Sequence, residues 1–570
     1  MLHFTILMEK LVWILAPQNS EAENLSRELG LPEEISQILV NRNISDPETA
    51  HTFLFGSLDD LHDPLLMRGM DKAVARVRKA ITEKERIIIF GDYDVDGILS
   101  VVILTKALET LGAEVSYYIP HRLQDGYGLK EKYIDVVLER GARLVISADC
   151  GIKATAFVER ARKNGVDVII TDHHLPGDTA PNALAVLNPV LPDAGYPDQR
   201  LAGVGVAFKL LQALLEGEEH EASLTHYLKL VSIGTVADIA ELKGENRLFV
   251  KYGLKSLEEV TNIGLKSLLD VCGLSGKKIS VGDIGYRIGP RINAAGRMGE
   301  ADLAVKLFFS QSFPASLEIV NHIDYLNTKR QQVEGKVFDE ALEKIKTKSL
   351  DNRYKFLILG CQEWHRGVIG IVSSKLKNLF YRPVILFSYE DGKAHGSGRS
   401  ISEFSLINFL DECRDFFLNY GGHNLAVGCV LNQERMASFK KTVNSLAEQR
   451  ISDELLRKKL SIDAKIDFDR FCSHFIDTYL LLSPFGAGNP KPVFMTEGVE
   501  VVSQPQLIQN KHSKFLARQK GRTFEAIGWG KPEIAQNVHK GDVVNLAYSL
   551  QFSEYLGKEQ LALSLEDVRG

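Results

Sequence analysis

Short apolar runs alternate with helical patterns through the first part of the chain. Four runs of strand length occupy residues 86–90, 114–119, 144–147 and 166–170, and a helical pattern over 101–111 separates the first two. Strands that alternate with helices are typical of a parallel, doubly wound sheet. The ligand site of such a sheet lies beyond the carboxyl ends of its strands, so we expect the functional residues directly after these runs.

The remaining pattern divides the chain into further predicted segments. Residues 1–74 form a helical arm, 75–311 the parallel-sheet domain, 312–350 a long connecting helix, 351–450 a smaller α/β domain and 451–570 a β-rich domain. Strand-like runs separated by Gly and Pro in the last segment predict a small β-barrel. The apolar stripe of the long helix fits a helix packed on its own domain as well as one that bridges two domains. The predicted fold class is therefore multidomain α/β.

Composition narrows the class of protein. The chain has 570 residues, of which 45% are hydrophobic and 25% charged, as in ordinary globular proteins. No window is apolar enough for a transmembrane helix, and the first residues make a poor signal peptide. The six cysteines are scattered and never form a CxxC, which favours reduced thiols over disulfides or zinc. We expect a cytoplasmic monomer with no membrane contact.

Three acids directly follow the first strand run, in the sequence Phe90-Gly-Asp-Tyr-Asp-Val-Asp-Gly97. If the chain stays extended there, Asp92, Asp94 and Asp96 project to one side, near the positive end of the next helix. Three carboxylates so close together repel each other unless a cation lies between them. An EF-hand loop is disfavoured because a strand precedes the acids and no Glu arrives at the twelfth position. The segment predicts a metal site.

Further metal-binding residue types follow the later apolar runs. Asp149 follows the run 144–147, His173 and His174 follow 166–170, and Asp238 ends Ser232-Ile-Gly-Thr-Val-Ala-Asp238. Carboxylates with one or two imidazoles suit Mn²⁺ or Mg²⁺ better than zinc. Two such ions a few ångströms apart can activate water and hold a phosphate in line, so we expect two ions and phosphoester hydrolysis.

The ordered motifs resemble a known family. The acidic segment, Asp172-His-His174, the segment ending at Asp238 and Gly421-Gly-His-Asn-Leu-Ala-Val-Gly428 are similar to DHH/DHHA1 phosphoesterases. Gly289-Pro-Arg-Ile-Asn-Ala-Ala-Gly-Arg297 and Trp364-His-Arg-Gly-Val-Ile-Gly-Ile371 narrow the resemblance to the RecJ exonuclease branch. It covers about residues 75 to 450 and implies a DHH domain, a DHHA1 domain and a C-terminal OB-fold. It also implies metal-dependent exonuclease activity on single-stranded DNA, from the 5′ end, releasing mononucleotides in DNA repair and recombination.

The resemblance assigns roles to the acids and histidines. It implies that Asp94 ligates one ion, Asp96 the other, and that Asp149 bridges both. His173 and Asp238 would complete the second ion, and His174 would touch the scissile phosphate. Asp92 is an optional ligand, because related phosphatases have a His upstream where this chain has Phe90.

Substrate contacts are expected mainly on the opposite side of the site. Glycines allow close backbone approach and arginine can hold a phosphate bidentately. Local sequence fits turn glycines and surface arginines equally well, and the resemblance favours substrate binding. The expected substrate residues are Arg122, Tyr127, His174, Arg291, Asn293, Arg297, Arg399, Ser400, Gly422 and His423. For Arg291 and Arg297 we favour phosphate contacts over internal salt bridges.

A basic segment in the last domain is a separate candidate for nucleic-acid binding. It contains Lys511, Lys514, Phe515, Arg518, Lys520 and Arg522 and no acid. Basic side chains with an aromatic fit a groove for single strands in which bases stack. A β-hairpin with a polar face and Phe515 in the core fits equally well, so both interpretations stay open here.

Two other functions remain as alternatives. The first is a phosphodiesterase for short oligonucleotides or cyclic dinucleotides, which shorter members of the superfamily hydrolyse. The second is a non-catalytic replication scaffold, which the complete set of acids and histidines disfavours. Beyond single-stranded DNA itself, a helicase and a single-strand-binding protein are the partners to consider.

Overall fold

The first sheet is parallel and forms where the sequence pattern places it. The computed structural model describes residues 11–122, 126, 128–217, 224–555 and 558–570. The strands of the first sheet lie in the order Glu114–Tyr118, Arg86–Gly91, Leu144–Ala148, Asp167–Thr171 and Ala185–Leu187. Ile87 pairs with Leu144 in parallel register, and Leu144 with Asp167. The predicted parallel sheet is confirmed, and its carboxyl ends carry Asp92, Asp149 and Asp172.

Helices flank this sheet and lead to the next one. They are Met70–Thr82, Val95–Thr110, Ile134–Glu139, Thr155–Lys163, Ile263–Val271, Gly289–Arg297 and Ala301–Phe309. The second helix begins at Val95, six positions before the apolar pattern predicts, because the Asp94 side chain accepts the N–H of Gly97 and caps it. The apolar pattern misses the start of the helix because Asp96, Gly97 and Ser100 interrupt it.

The long helix spans Phe313–Thr347, and the Ser312 hydroxyl caps its first turn. Near its start, the Ser316 hydroxyl bonds to that of Ser267 on the helix Ile263–Val271. Near its end, Ala341 shares a hydrophobic core with the strand Leu357–Cys361. The two ends of this helix therefore pack against different parts of the first unit, which favours the bridging interpretation of its apolar stripe.

The second sheet is mixed. Its strands lie in the order Phe417–Gly422, Ala426–Asn432, Lys393–Arg399, Val384–Glu390 and Leu357–Cys361. The last two of these strands pair in parallel, and the other neighbouring strands pair antiparallel. The helices Arg366–Phe380, Leu406–Asp411 and Met436–Arg450 accompany it. Both sheets belong to one compact unit, made of residues 72–186 and 258–458.

The second compact unit contains residues 11–71, 187–257 and 459–570. A closed five-stranded barrel forms here, because Phe494–Val501 pairs with Val543–Tyr555 on one side and with His512–Gln519 on the other. Lys558–Arg569 and Arg522–Gly528 complete the barrel, and the short strands Ala464–Lys465 and Gln506–Ile508 extend it. The predicted barrel is confirmed.

The helices of the N-terminal arm pack into the same core as the barrel. The helices of this unit are Ser20–Leu29, Glu33–Asn41, Pro47–Phe55, Gly203–Leu215, Leu224–Ala237, Gly244–Ser256, Ser473–Leu481 and Pro532–Asn537. Leu25, Ile38 and Phe53 from the first three share one hydrophobic cluster with Phe494. The strand Val12–Leu15 also pairs with Lys459–Ile462. The five predicted domain boundaries stay predictions. No helix in the described part of the chain is long and apolar enough to cross a membrane.

Candidate metal centre and substrate cleft

The three acids of the first motif lie where a strand turns directly into a helix. Asp92 follows Arg86–Gly91, Asp94 caps the next helix, and Asp96 is buried in its first turn. The chain does not stay extended here, so the premise that the three alternate along a strand is wrong. A Cβ on Gly97 would lie 2.7 Å from the Asp92 backbone, so glycine lets the helix start close against the strand end.

Asp149 lies at the centre of the cluster. Its backbone is left-handed, with φ at 60°, a conformation that Asp tolerates better than most residues. Its Oδ1 lies 3.1 Å from the Nε2 of His173 and 3.7 Å from the Nδ1 of His174. One potential metal-binding group contains Asp92, Asp94 and Asp149, and another contains Asp149, His173 and His174, with ligand atoms within 4.8 Å of one another in each group. Asp149 is common to both.

Asp96 also belongs to the cluster of acids and histidines in the first unit. The Oδ2 of Asp96 lies 3.7 Å from the Nε2 of His173, so the first sheet brings these two predicted ligands together. Asp238 directly follows the helix Leu224–Ala237 in the second compact unit. Its metal-binding role stays a prediction from the resemblance.

The donor set fits a divalent metal. The Asp92 side chain is only 4% exposed, and no hydrogen bond reaches its Oδ1 from the described residues. Burial, and then the charge of Asp94, raise the pKa of Asp92 well above its usual range. A bound cation would reverse this effect by favouring the ionised carboxyl. Oxygen and imidazole donors without thiolate match the preference of Mn²⁺ and Mg²⁺.

Asp172 orients His174, a role that the sequence interpretation did not give it. This buried carboxylate accepts the N–H of Ile152 at 2.9 Å and that of His174 at 3.1 Å, and it lies 2.7 Å from the His174 Nδ1. Burial opposes its charge, but these hydrogen bonds and the charge of His174 lower the pKa of Asp172. Burial also opposes protonation of His174, but Asp172 raises the pKa of that imidazole. The position of Asp172 beside the two histidines, at the end of a predicted strand, is the sequence signal that indicates this role.

A cleft of about 580 Å³ opens beside the metal-binding groups, within the first unit. The Arg122 guanidinium stacks 4.6 Å from the centre of the Tyr93 ring at its wall. Lys153 and Arg366 line it, as do the glycines of the second sheet, including Gly422. Gly422 has φ at 146°, and a Cβ there would overlap the Ala426 carbonyl. Positive side chains and accessible backbone suit a phosphate-bearing ligand.

Arginines converge near this cleft. Burial, and then repulsion from Arg122, Arg330 and Arg399, lower the pKa of Arg297 to about 9. Arg297 donates to the Gly367 carbonyl at 3.0 Å, and Arg399 to the Gly398 carbonyl at 2.7 Å. Carbonyl oxygens carry no net charge, so the repulsion among these guanidinium groups is not cancelled by these bonds. An anionic ligand would relieve it.

A smaller pocket of about 280 Å³ lies beside the histidines. His174 and His423 both line it, together with Lys130, Lys153 and apolar residues such as Leu175. Burial, and then the charges of His174 and Lys153, lower the pKa of His423. The structure thus brings together one histidine from each predicted domain of the first unit.

Three expected substrate residues have other surroundings or are not described. Arg291 forms the internal salt bridge that we disfavoured, with its Nε 2.8 Å from the Asp324 carboxylate, because the long helix packs alongside. Ser400 is buried, and its hydroxyl donates to the Phe404 carbonyl, so this side chain holds a loop. Tyr127 lies outside the described residues. Asn293 is partly buried on the helix Gly289–Arg297, and its role stays a prediction.

The basic segment of the barrel corresponds to the hairpin interpretation. Phe515 is 2% exposed and lies in the core, so its expected role in stacking is wrong. Acids on neighbouring segments pair with three of the cations: Lys514 with Glu525, Arg518 with Glu500, and Lys520 with Asp467. Alternation along the strands His512–Gln519 and Arg522–Gly528 explains both facts, since it buries one face and pairs the other. Lys511 lies in an exposed turn, and Arg522 is the exposed first residue of the strand Arg522–Gly528.

Three family models match in the predicted order. The DHH family N-terminal domain matches residues 86–235, the DHHA1 domain 353–449 and the RecJ OB domain 462–567. They correspond to the parallel sheet, the mixed sheet and the barrel.

Whole-chain relatives agree with the domain matches. The chain is 35% identical to the single-stranded-DNA-specific exonuclease RecJ of Bacillus subtilis (strain 168), over 99% of this chain and 71% of that one. The crystal structure of RecJ from Thermus thermophilus in complex with Mn²⁺ has a TM-score of 0.83 at 29% identity, over 98% of this chain and 79% of that one. The Mg²⁺ complex of the same protein has a TM-score of 0.77 at 28% identity, over 98% and 78%. With the three domains in order and the relatives matched over almost its full length, the chain belongs to the RecJ family.

Proposed function

We propose that this chain is a divalent-metal-dependent exonuclease that hydrolyses single-stranded DNA. The observation that carries this proposal is the pair of metal-binding groups sharing Asp149 beside an arginine-rich cleft. The metal-binding groups would hold the ions, and the cleft would bind a polyanion. The names of the relatives supply the substrate class, single-stranded DNA.

Bound Mn²⁺ or Mg²⁺ would supply water activation and charge neutralisation at the phosphate. Asp92, Asp94 and Asp149 would hold one ion, and Asp96 and His173 would help to hold the second. We include Asp92 as a full ligand because its carboxylate is buried within the first group. Asp238 is carried over from the resemblance as a further ligand of the second ion.

His174 acts on the phosphate as a hydrogen-bond donor. Its Nδ1 is held by the Asp172 carboxylate, which fixes the orientation of the ring beside the pocket. The raised pKa of His174 favours the protonated imidazole, which stabilises the negative charge that develops on the phosphate. His423 lines the same pocket and can contact the same strand.

Arg122, Arg297 and Arg399 bind the terminal phosphate of the strand. Their mutual repulsion and partial burial suit a dianionic end group better than an internal phosphodiester. The family resemblance implies that cleavage starts at the 5′ end and releases mononucleotides, and a site for a terminal phosphate is consistent with this polarity. We extend this activity to DNA repair and recombination in the cytoplasm, with a helicase and a single-strand-binding protein as candidate partners. The six cysteines have free thiols, as a reducing compartment requires.

A digestion assay tests the proposal. The protein is incubated with Mn²⁺ and with long single strands, duplexes or dinucleotides, each labelled at the 5′ or the 3′ end. Early release of labelled mononucleotide from the 5′-labelled single strand is expected, with slower loss of the 3′ label and no release under EDTA. Cleavage confined to dinucleotides would support the short-substrate alternative, and no metal-dependent cleavage would contradict enzymatic activity.

A further inference from the structure

Lys153 stands between the two cavities of the first unit. It lines the cleft of about 580 Å³ and also the pocket of about 280 Å³. It follows Asp149 by four residues, in the loop between the strand Leu144–Ala148 and the helix Thr155–Lys163. Its side chain is exposed to the space where the proposed substrate lies.

The loop that carries Lys153 is fixed by hydrogen bonds to the metal centre. The Ile152 N–H donates to the Asp172 carboxylate at 2.9 Å, and the Ser147 hydroxyl donates to the Cys150 carbonyl at 2.6 Å. Gly151 adopts φ at 114°, where a Cβ would lie 2.7 Å from the Ser147 hydroxyl. The backbone of Lys153 is therefore held in a constant position relative to Asp149 and Asp172.

Lys153 differs from the other cations at these cavities by its lack of a partner. Arg366 pairs with Glu390 at 3.3 Å, Arg122 stacks on Tyr93, and Arg399 donates to a carbonyl. Within the described parts of the chain, no hydrogen bond or ion pair involves the Lys153 ammonium. A lysine in a water-filled cleft with no carboxylate partner is available to a ligand phosphate.

We propose that Lys153 is a positioning residue that binds a backbone phosphate of the DNA strand where the cleft meets the pocket. This inference rests on the proposed function and names a contact within it. The pocket beyond Lys153 is slightly smaller than the ~300–1,000 Å³ of typical small-molecule sites, so it holds one small group next to that phosphate. Lys153 therefore fixes the register of the strand relative to His174, and contributes to substrate binding rather than to the chemical step.

The test compares Lys153→Ala with Lys153→Arg and with Lys163→Ala. Lys163 is the matched control, because it is an exposed lysine at the far end of the same helix Thr155–Lys163. Initial rates on a 5′-phosphorylated single strand are measured with Mn²⁺ at several KCl concentrations. We expect Lys153→Ala to raise KM about tenfold with kcat changed less than about threefold, since one charged hydrogen bond is lost. Lys153→Arg restores most of the loss.

The salt dependence separates a phosphate contact from a structural role. Loss of one phosphate contact makes the plot of log(kcat/KM) against log[KCl] shallower by about 0.7 for single strands. We expect this change for Lys153→Ala and not for Lys163→Ala or Lys153→Arg. An unchanged slope, or a KM equal to that of Lys163→Ala, overturns the inference, as does a folded Lys153→Arg variant that is as weak as alanine. A wild-type protein that fails to cleave would instead contradict the proposed function.

Discussion

The metal centre and the basic hairpin of the barrel both concentrate charge of one sign in the sequence, but the fold treats them differently. At the metal centre, Asp92 and Asp149 are buried beside the partly buried Asp94, and burial raises the pKa of Asp92. In the hairpin, the cations Arg518 and Lys520 lie at the surface and pair with Glu500 and Asp467. Like charges that the fold buries close together indicate a ligand, whereas a run of like charge in the sequence alone does not.

A substitution at Asp149 is the most direct test of this comparison, because Asp149 belongs to both metal-binding groups described above. Asp149→Asn keeps the shape of the side chain but removes the charge that both metal-binding groups have in common. We expect Mn²⁺-dependent nucleotide release from single strands to fall by more than about 10³-fold, because ion binding and charge stabilisation are lost together. Asp178→Asn, at an exposed acid in the same sheet region, controls for loss of charge alone and is expected to stay active. Activity of Asp149→Asn near that of wild type would contradict the assignment.

A smaller loss is expected when Asp172 becomes asparagine. The Asp172 carboxylate accepts hydrogen bonds from the backbone and from His174, so its removal misorients that imidazole without removing a proposed metal ligand. We predict a fall in kcat of about 10- to 100-fold with a smaller change in KM, as for other residues that orient metal-site ligands. Steady-state kinetics and isothermal titration with Mn²⁺ check this. Wild-type kcat, or complete loss of Mn²⁺ binding, would argue against the orienting role.

Arg399→Ala tests the phosphate side of the site. The loss of one guanidinium from the arginine cluster is expected to raise KM about tenfold for a 5′-phosphorylated strand. The effect on a strand with a 5′-hydroxyl is expected to be less than about threefold. Parallel kinetics with the two strands provide the measurement. Equal losses on both would show that Arg399 does not read the end group.

The smallest effect is expected in the hairpin. Lys520→Ala removes a surface ion pair with Asp467, and such pairs contribute roughly 0–1 kcal/mol to stability. We predict a KM for single strands within about twofold of wild type and a nearly unchanged melting temperature. A tenfold rise in KM would mean that the ion pair opens and that Lys520 binds DNA. The hairpin would then bind substrate, as the cleft is proposed to do.

Sequence alone predicted the elements whose signal is local. The buried strand runs and the acids directly after them located Asp92, Asp149 and the histidines at one sheet edge, and the ordered motifs supplied the family. The partners of Arg291 and Arg518 could not be predicted, because Asp324 and Glu500 come from distant segments whose register only the tertiary structure sets. The role of Lys153 was missed for the same reason, since both of its cavities depend on how the loop is held.

The core shared by the first helices and the barrel has a consequence for synthesis of the chain. The Trp13 indole donates to the Asp567 carboxylate at 2.7 Å, a contact between residues 554 positions apart. Contacts so distant in sequence close late in folding, because loop closure carries an entropic cost. The helices that carry Leu25, Ile38 and Phe53 are synthesised long before the strand that carries Phe494, so part of their common core is missing until that strand emerges. Chains truncated between these two segments therefore leave this apolar surface exposed, which makes them prone to aggregation or chaperone binding.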